Sequence, residues 1–487
     1  MKGGDKAVGA RRGWRVRMVS LVVLLAHIAG ALTSVRAVME VRTAQGTIAW
    51  VVALNTLPYV AVPAYWVFGR SKFHGYVLER RKDVLEANPV ARQFLTNLVE
   101  RGLIAFPERE RTLLVEKLAK LPFTQRNDAE LLVDGEATFN SIFAGMDRAR
   151  DYILAQFYII RDDQVGREFK RRLVLKARSG VRCYVLYDEV GSAGLPRAYV
   201  NELQTAGVRV KPFHTTQGSA NRFQINFRNH RKIVIVDGAE AWVGGLNVGD
   251  EYLGRDPKVG YWRDTHTHLR GPVVPCVQVS FLEDWHWAAG DIPKLKWDPE
   301  PAPGGKALSI LCLPSGPADP LETCALFFVQ EINRAQKRLW IASPYFVPDE
   351  QVMTALKLAA LRGVNVRILI PDKGDSLLVQ LTAWTYMERL ENIGIRFYRY
   401  TKGFMHHKIV MLDDECAIGT ANFDNRSFRL NFEITLQFAG KEFTDQVAAM
   451  LERDFADARA VNSAELEAQG FWFRFACRAA RLMAPIQ

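Results

Sequence analysis

The 487-residue chain is poor in histidine and cysteine, with nine of the first and six of the second. The cysteines (Cys183, Cys276, Cys312, Cys324, Cys416 and Cys477) are widely spread and form no CxxC pair. That spacing argues against a disulfide framework or a cysteine metal site, and leaves free buried thiols in a reducing compartment as the expectation. There is no Gly-rich GK[ST] loop, so the chemistry should not need a nucleotide held that way. Acids number 53 against 64 bases, giving a net charge of +11. The excess suits a nucleic acid, an anionic membrane surface or a phosphate-bearing substrate, and does not choose among them. Length and a 48% hydrophobic content predict two or three folded domains.

Charge is missing altogether from residues 18–35 and 46–68. Each run has the ~20 residues that a helix needs to cross a bilayer. Trp50, Tyr59, Tyr65 and Trp66 lie towards the ends of the second run, as in an interfacial belt, and Pro58 and Pro63 lie within it. We expect a hairpin of helices over 18–38 and 46–68. Lys2, Lys6, Arg11, Arg12, Arg15 and Arg17 precede it, Arg70, Lys72, Arg80, Arg81 and Lys82 follow it, and the connector holds only Arg36 and Arg42 with Glu40. By the positive-inside rule both ends, and the catalytic part, face the cytoplasm. A cleaved signal peptide is the competing reading, with residues 35–37 a poor cleavage site.

The organisation expected is a tail and membrane hairpin (1–70), a membrane-proximal helical linker (71–124), a first α/β half (125–290), a Pro/Gly-rich linker (291–306), a second α/β half (307–460) and a C-terminal interfacial segment (461–487). Strands alternate with helices in each half: 153–160, 180–187 and 206–210 in the first, and 339–347, 363–370 and 393–397 in the second. Residues 214–226 and 252–261 are extra in the first half and read as loops near the mouth of a site. Residues 471–483 mix aromatics with Arg474, Arg478 and Arg481, which suits a helix in a lipid interface or one packed on the second half.

Both halves carry the same set at nearly the same spacing. The first has His230, Lys232, Asp237, Gly244 and Asn247, and the second has His406, Lys408, Asp413, Gly419 and Asn422. With so few histidines, two such HxK(x)4D matches are hard to ascribe to chance. Residues two apart on a strand share a face, so each His and Lys should point the same way. Two halves packed about a pseudo-twofold axis would bring both pairs together. Neutral imidazole can be a nucleophile or proton carrier. Paired lysines and asparagine amides can hold the non-bridging oxygens of a phosphodiester and stabilise its transition state. Asp264 and Glu433 are candidates to orient the imidazoles, with Asp264 expected to serve His230. Gly244 and Gly419 permit close packing beneath the site.

Asp237 and Asp413 end their strands at turns, where a structural hydrogen-bonding role competes with direct catalysis. No metal or other cofactor is called for. His266 and His268 share a strand face, but no third ligand is evident. His407 should face away and pack. Tyr158 and Tyr345 occupy equivalent positions that could line the site or the core.

The stretches 228–238, 262–266, 343–349, 419–427 and 431–433 carry a family resemblance. The chain is similar to the phospholipase D superfamily through its paired motifs, and more specifically resembles bacterial cardiolipin synthases with an N-terminal membrane hairpin, from about residue 46 to the end. The resemblance implies two phospholipase D-like α/β halves. It implies a multi-pass protein of the bacterial inner membrane that converts two phosphatidylglycerols into cardiolipin and glycerol. It also implies that His230 is the nucleophile and His406 the general acid and then base; the near-symmetric motifs do not decide this themselves. The integral membrane is the expected partner, no nucleic acid is expected, and nothing in the chain fixes an oligomeric state. His407 departs from the pattern, where small residues are usual. The alternatives are a lipid hydrolase or headgroup exchanger, a nuclease of the same superfamily, and an inactive scaffold. Both motif sets are complete, and the positive charge gathers at the hairpin rather than on a nucleic-acid module.

Overall fold

The computed structural model describes residues 4–41, 43–69, 89–105, 109–214, 226–305 and 307–487. The chain forms two compact units: Met1–Gly75 with Thr215–Asn226, and Tyr76–His214 with Phe227–Gln487.

In the first unit, α1 (Gly4–Glu40) is followed by α2 (Ala44–Thr56) and α3 (Pro58–Ala64). Thr43 caps α2, its hydroxyl accepting from the Gly46 amide at 3.1 Å. Gly30 lets the helices touch, since a Cβ there would lie 2.1 Å from the Leu54 carbonyl oxygen. Asn55 Nδ2 donates to Ser34 Oγ at 2.8 Å beside this contact. The expected hairpin is therefore present, with Leu24, Leu25, Leu32, Val35, Ile48 and Val60 turned outwards. Its second arm differs from the single helix expected over 46–68. The arm breaks at Leu57 (φ −133°, ψ 55°) and ends in a π turn at Tyr65–Gly69. Pro58 supplies the reason: it has no N–H and disfavours helical geometry in the residue before it. Among the described residues one helix is by itself long and apolar enough to span a bilayer, over Arg17–Glu40 of α1. The basic flank at Arg70, Lys72, Arg80, Arg81 and Lys82 lies outside the described residues, as does Arg42 of the connector.

The second unit is built on two copies of one α/β pattern. The first copy runs β1 (Thr124–Val133), β2 (Tyr152–Phe157), β3 (Arg182–Asp188), β4 (Arg209–Phe213), β5 (Arg228–Asn229), β6 (Ile233–Val236), β7 (Glu240–Gly244), β8 (Trp262–Arg263) and β9 (Thr265–Arg270). The second runs β10 (Leu308–Ser315), β11 (Arg338–Ala342), β12 (Phe346–Val347), β13 (Asn365–Pro371), β14 (Arg396–Tyr400), β15 (Phe404–Met405), β16 (Ile409–Leu412), β17 (Glu415–Gly419), β18 (Phe423–Asp424) and β19 (Asn431–Ala439), followed by β20 (Ala458–Val461).

From the centre outwards the strand order is β1-β9-β7-β6-β2-β3-β4 in one half and β10-β19-β17-β16-β11-β13-β14 in the other, with β20 outermost. The halves share one sheet because β1 pairs antiparallel with β10, Thr124 opposite Ile310. Of the parallel strands β2, β3 and β4, β2 is buried along its whole length, as a strand covered on both faces must be. The helices repeat their caps: Asp163 accepts from the Gly166 amide at the start of Gln164–Arg178, and Asp349 from Val352 at the start of Glu350–Leu361.

Two short parallel pairings cross between the halves and matter most for function. β5 pairs with β19, Asn229 opposite Phe432, and β15 pairs with β8, Met405 opposite Arg263. The helices Pro89–Glu100 and Arg109–Ala119 belong to this unit. They are tied to the inter-half linker by Phe94 against Trp297 (6.0 Å) and by Arg101 on Asp298 (2.6 Å).

Candidate active site

Each motif histidine follows one of the crossing strands. The His230 amide donates to the Phe432 carbonyl at 2.9 Å, and the His406 amide to the Arg263 carbonyl at 2.7 Å. Phe432 and Arg263 are the residues just before Glu433 and Asp264. The backbone therefore delivers each imidazole to the carboxylate of the opposite half. His230 Nδ1 lies 3.0 Å from both Glu433 oxygens, and His406 Nδ1 lies 2.7 Å from Asp264 Oδ2. This corrects the expectation that Asp264 serves His230. A same-half pairing is overridden because β5/β19 and β8/β15 exchange partners between halves. With Nδ1–H committed to a carboxylate, the reactive nitrogen of each ring is Nε2.

The lysines close the arrangement. Lys232 Nζ donates to the His230 carbonyl at 2.6 Å, and Lys408 Nζ to that of His406. Lys408 Nζ is also 2.7 Å from His406 Nδ1 and 3.8 Å from Asp264. Both are buried, while the two histidines keep only 9% and 7% of their surface exposed. Burial pushes Lys232 well below its ordinary value and Lys408 down to about 8, although the site carboxylates oppose the shift. Burial also lowers His230, and lowers His406 to about 3 with the Lys408 charge adding to it. Asp264 and Glu433 are held below the usual carboxylate range, because Lys408 and His406 for one, and His230 for the other, outweigh desolvation. The resting site thus has neutral imidazoles and ionised carboxylates, beside two buried lysines whose charged forms burial disfavours. An anion entering between the lysines is stabilised by what burial has made costly.

The carboxylates are held differently in the two halves. Glu433 accepts from Thr420 Oγ1 (2.6 Å), Ser427 Oγ (2.9 Å) and Asn431 Nδ2 (3.2 Å). Asp264 accepts from the Thr265 amide (2.8 Å) and Trp262 Nε1 (3.4 Å). Gly245, at the position equivalent to Thr420, makes room for Asp264; a Cβ there would lie 2.2 Å from its Oδ1. The four groups Thr420, Ser427, Trp262 and Gly245 were not singled out from the sequence. Trp262, Thr420 and Ser427 had a local signal in their places within the stretches 262–266 and 419–427, whereas Gly245 lies in none of the stretches that carry the resemblance.

The supporting residues take up positions around this centre. Asn247 accepts from the Ile159 amide at 3.1 Å and donates to Tyr252 Oη at 3.1 Å, while Asn422 Oδ1 is buried without a partner. Cβ atoms at Gly244 and Gly419 would lie 2.5 Å and 2.3 Å from the neighbouring strand's backbone, at Thr265 O and Ile434 O. Tyr158 lines the site, its ring edge-on to His230 at 5.2 Å and under Lys232 at 5.6 Å. Arg228 and Arg426 both act on the Tyr158 hydroxyl, adding positive charge on the His230 side. Tyr345 donates to Asp375 at 2.7 Å.

Asp237 and Asp413 sit at the far ends of the motif strands. Asp237 accepts the amides of Arg150, Asp151 and Tyr152 at 2.8–2.9 Å, and Asp413 those of Gln336, Lys337 and Arg338 at 2.8–3.0 Å. Both have left-handed φ (54° and 44°), which suits an Asp that bonds local backbone. They brace β2 and β11, which is the structural hydrogen-bonding role weighed for them against direct catalysis.

His407 packs away from the centre, its Nε2 3.1 Å from Asp454. His268 lies 2.7 Å from Glu240 and stacks on Trp242. Among the described residues no cluster of three His, Cys, Asp or Glu could hold a metal ion. The loop around 252–261 packs towards the second half, where the Tyr261 carbonyl accepts the Phe404 amide at 2.9 Å. Residues 215–225 of the other expected loop lie outside the described residues.

Residues 142–258 and 328–455 match the family model described as cardiolipin synthase, PLD-like domain. The chain is 46% identical over 473 residues to Cardiolipin synthase A of Pseudomonas entomophila (strain L48), covering 95% of this chain and 97% of that protein. It is also 46% identical over 480 residues to Cardiolipin synthase A of Pseudomonas fluorescens (strain SBW25), covering 96% and 98%. Among solved structures it is similar to phosphatidylserine synthase of Haemophilus influenzae Rd KW20, with a TM-score of 0.59 and 15% identity over 78% of this chain and 100% of that one. At that identity the likeness is one of fold.

Proposed function

The chain belongs to the cardiolipin synthase, PLD-like family, and from that premise we propose that it joins two phosphatidylglycerol molecules into cardiolipin with release of glycerol. The observation that carries the reading is the crossed pairing: two imidazoles, each held by the opposite half's carboxylate, beside two buried lysines. Such a site can exchange one phosphodiester for another with protein groups alone.

His230 Nε2 attacks the phosphorus of the first lipid, and the P–N bond forms as the bond to the glycerol oxygen breaks. His406 gives the departing oxygen its proton. It then takes a proton from the primary hydroxyl of a second phosphatidylglycerol, whose oxygen attacks phosphorus and frees His230. His406 must be protonated for the first step. Burial, with the charges of Lys408 and Lys232 adding to it, keeps His406 neutral in the empty site; the phosphodiester charge, lying between the two lysines, opposes both effects and raises its pKa. Glu433 and Asp264 hold each ring and stabilise the positive charge it acquires.

The hairpin and its basic flanks support a multi-pass protein of the bacterial cytoplasmic membrane with the catalytic unit on the cytoplasmic side. In that setting phosphatidylglycerol is present at high local concentration and water competes poorly at a buried site. The test is to supply the purified full-length protein with phosphatidylglycerol and follow glycerol and lipid products. Cardiolipin and glycerol in equal amounts are expected; phosphatidic acid without cardiolipin would overturn the proposal.

A further inference from the structure

We propose that the helix Phe471–Arg481 is a membrane-docking element whose outward aromatic face inserts into an anionic lipid interface and seats the catalytic unit on the bilayer.

The helix is fixed to the fold along one side only. Cys477 and Ala480 are buried, against the helix Leu377–Glu391. Arg481 pairs with Glu350 at 3.2 Å and lies over Tyr386, and Arg478 reaches Glu388 at 3.6 Å. The chain end is pinned as well: the Arg426 amide donates to the Gln487 carbonyl at 2.8 Å, and Asn425 Nδ2 to the Ala484 carbonyl at 3.1 Å. Asn425 and Arg426 open the short helix that follows Asn422, so the segment is tied directly to the site.

The other side is apolar and faces outwards. Phe471, Trp472, Phe475 and Leu482 are 63%, 76%, 56% and 81% exposed. Positions 471, 475 and 482 recur on one helical face. The rings rest on one another, Phe471 on Trp472 at 5.2 Å and on Phe475 at 6.2 Å. A pinned helix presenting a large apolar face to water is the mark of an interaction surface.

Charge decides the occupant. Residues 471–487 hold Arg474, Arg478 and Arg481 and no acid. Arg474 and Arg478 are exposed and border the aromatic face. A second copy docked face to face would bring these arginine rows together, which costs energy, whereas anionic headgroups would pair with them while Phe and Trp enter the acyl boundary. The inference deepens the lipid-substrate reading and rests on it only for the choice of lipid.

All six native cysteines are buried, so a cysteine introduced at an exposed position can be labelled alone. The full-length Trp472→Cys protein, carrying an environment-sensitive fluorophore, is reconstituted into vesicles. In vesicles containing phosphatidylglycerol the emission should shift to the blue and the label should resist aqueous iodide. Both effects should weaken in vesicles of phosphatidylcholine alone. A label that stays open to iodide in phosphatidylglycerol vesicles would overturn docking. Protection that appears only as protein density rises would overturn it in favour of self-association. Independently, the Phe471→Ser, Phe475→Ser double variant should lose about tenfold in cardiolipin formation on vesicles yet stay within about twofold of wild type in mixed micelles. Equal loss in both would overturn a membrane role, and the iodide measurement reports docking even if the product is not cardiolipin.

Discussion

Replacing Gly245 with alanine should disable His406 without touching any group that meets substrate. A Cβ at 245 would lie 2.2 Å from Asp264 Oδ1 and 2.4 Å from Oδ2, against an ordinary contact of at least 3.4 Å. The carboxylate must give way by about 1 Å, a displacement that costs on the order of 10²-fold in rate at a reacting centre. The backbone cannot absorb the move. The Gly245 amide donates to the Thr265 carbonyl at 2.9 Å, and the Asp264 carbonyl accepts the Asp134 amide at 2.9 Å. The side chain must therefore rotate, and rotation breaks the 2.7 Å bond to His406 Nδ1. Complete loss of an orienting carboxylate has cost about 10⁴-fold in a serine-protease triad. Partial loss should cost roughly 10²–10³ in kcat, or about 3–4 kcal/mol, with KM for phosphatidylglycerol little changed. Gly245 has no left-handed φ, so alanine is compatible with the backbone and the effect is steric. The assay is glycerol release in mixed micelles, beside a thermal melt that confirms folding. A folded Gly245→Ala protein with kcat within about threefold of wild type would refute the reasoning.

Two further predictions separate bracing from catalysis and fix the pH response. Asp237→Ala and Asp413→Ala each remove the acceptor of three backbone amides, so each should cost about 3 kcal/mol of stability, seen as a lower Tm, while the folded fraction keeps near-normal kcat; a large loss of kcat at unchanged Tm would contradict the bracing role. Lys408 is pushed down to about 8, so raising the pH through that value removes a cation from the empty site and kcat/KM should fall on the alkaline side near pH 8; a profile flat to about pH 10, near the ordinary lysine pKa, would contradict it.

The repeat was legible because its signals are local. A histidine and a lysine two apart share a strand face, glycines 244 and 419 meet the adjacent strand, and alternating strands and helices announce an α/β layer. The crossed pairing was not legible, because it depends on two-residue bridges between segments such as 228–229 and 431–432. Each half looks self-sufficient, with a histidine and an acid of its own, and only the exchange of β5 and β15 between halves shows that neither is. Gly245 was invisible for a related reason: its meaning lies in Asp264, which reaches it from the neighbouring strand. The break at Leu57 could have been read from Pro58, but apolar length alone pointed to an unbroken helix. The two motif aspartates illustrate the limit of a motif itself, since their spacing marks the strand's far end as readily as a catalytic group.

The central claim is that two half-sites make one centre in which His230 carries the phosphatidyl group and His406 moves the proton. It is tested most directly by giving the full-length His406→Ala protein a phosphatidyl substrate whose leaving group needs no proton, such as a nitrophenyl ester, and locating the adduct by mass spectrometry after rapid quenching. The account predicts a phosphatidyl group that accumulates on His230. The same adduct should form more slowly when Glu433→Gln is added, because His230 loses its carboxylate. No adduct with His406→Ala, together with an adduct on His406 in the His230→Ala protein, would contradict it.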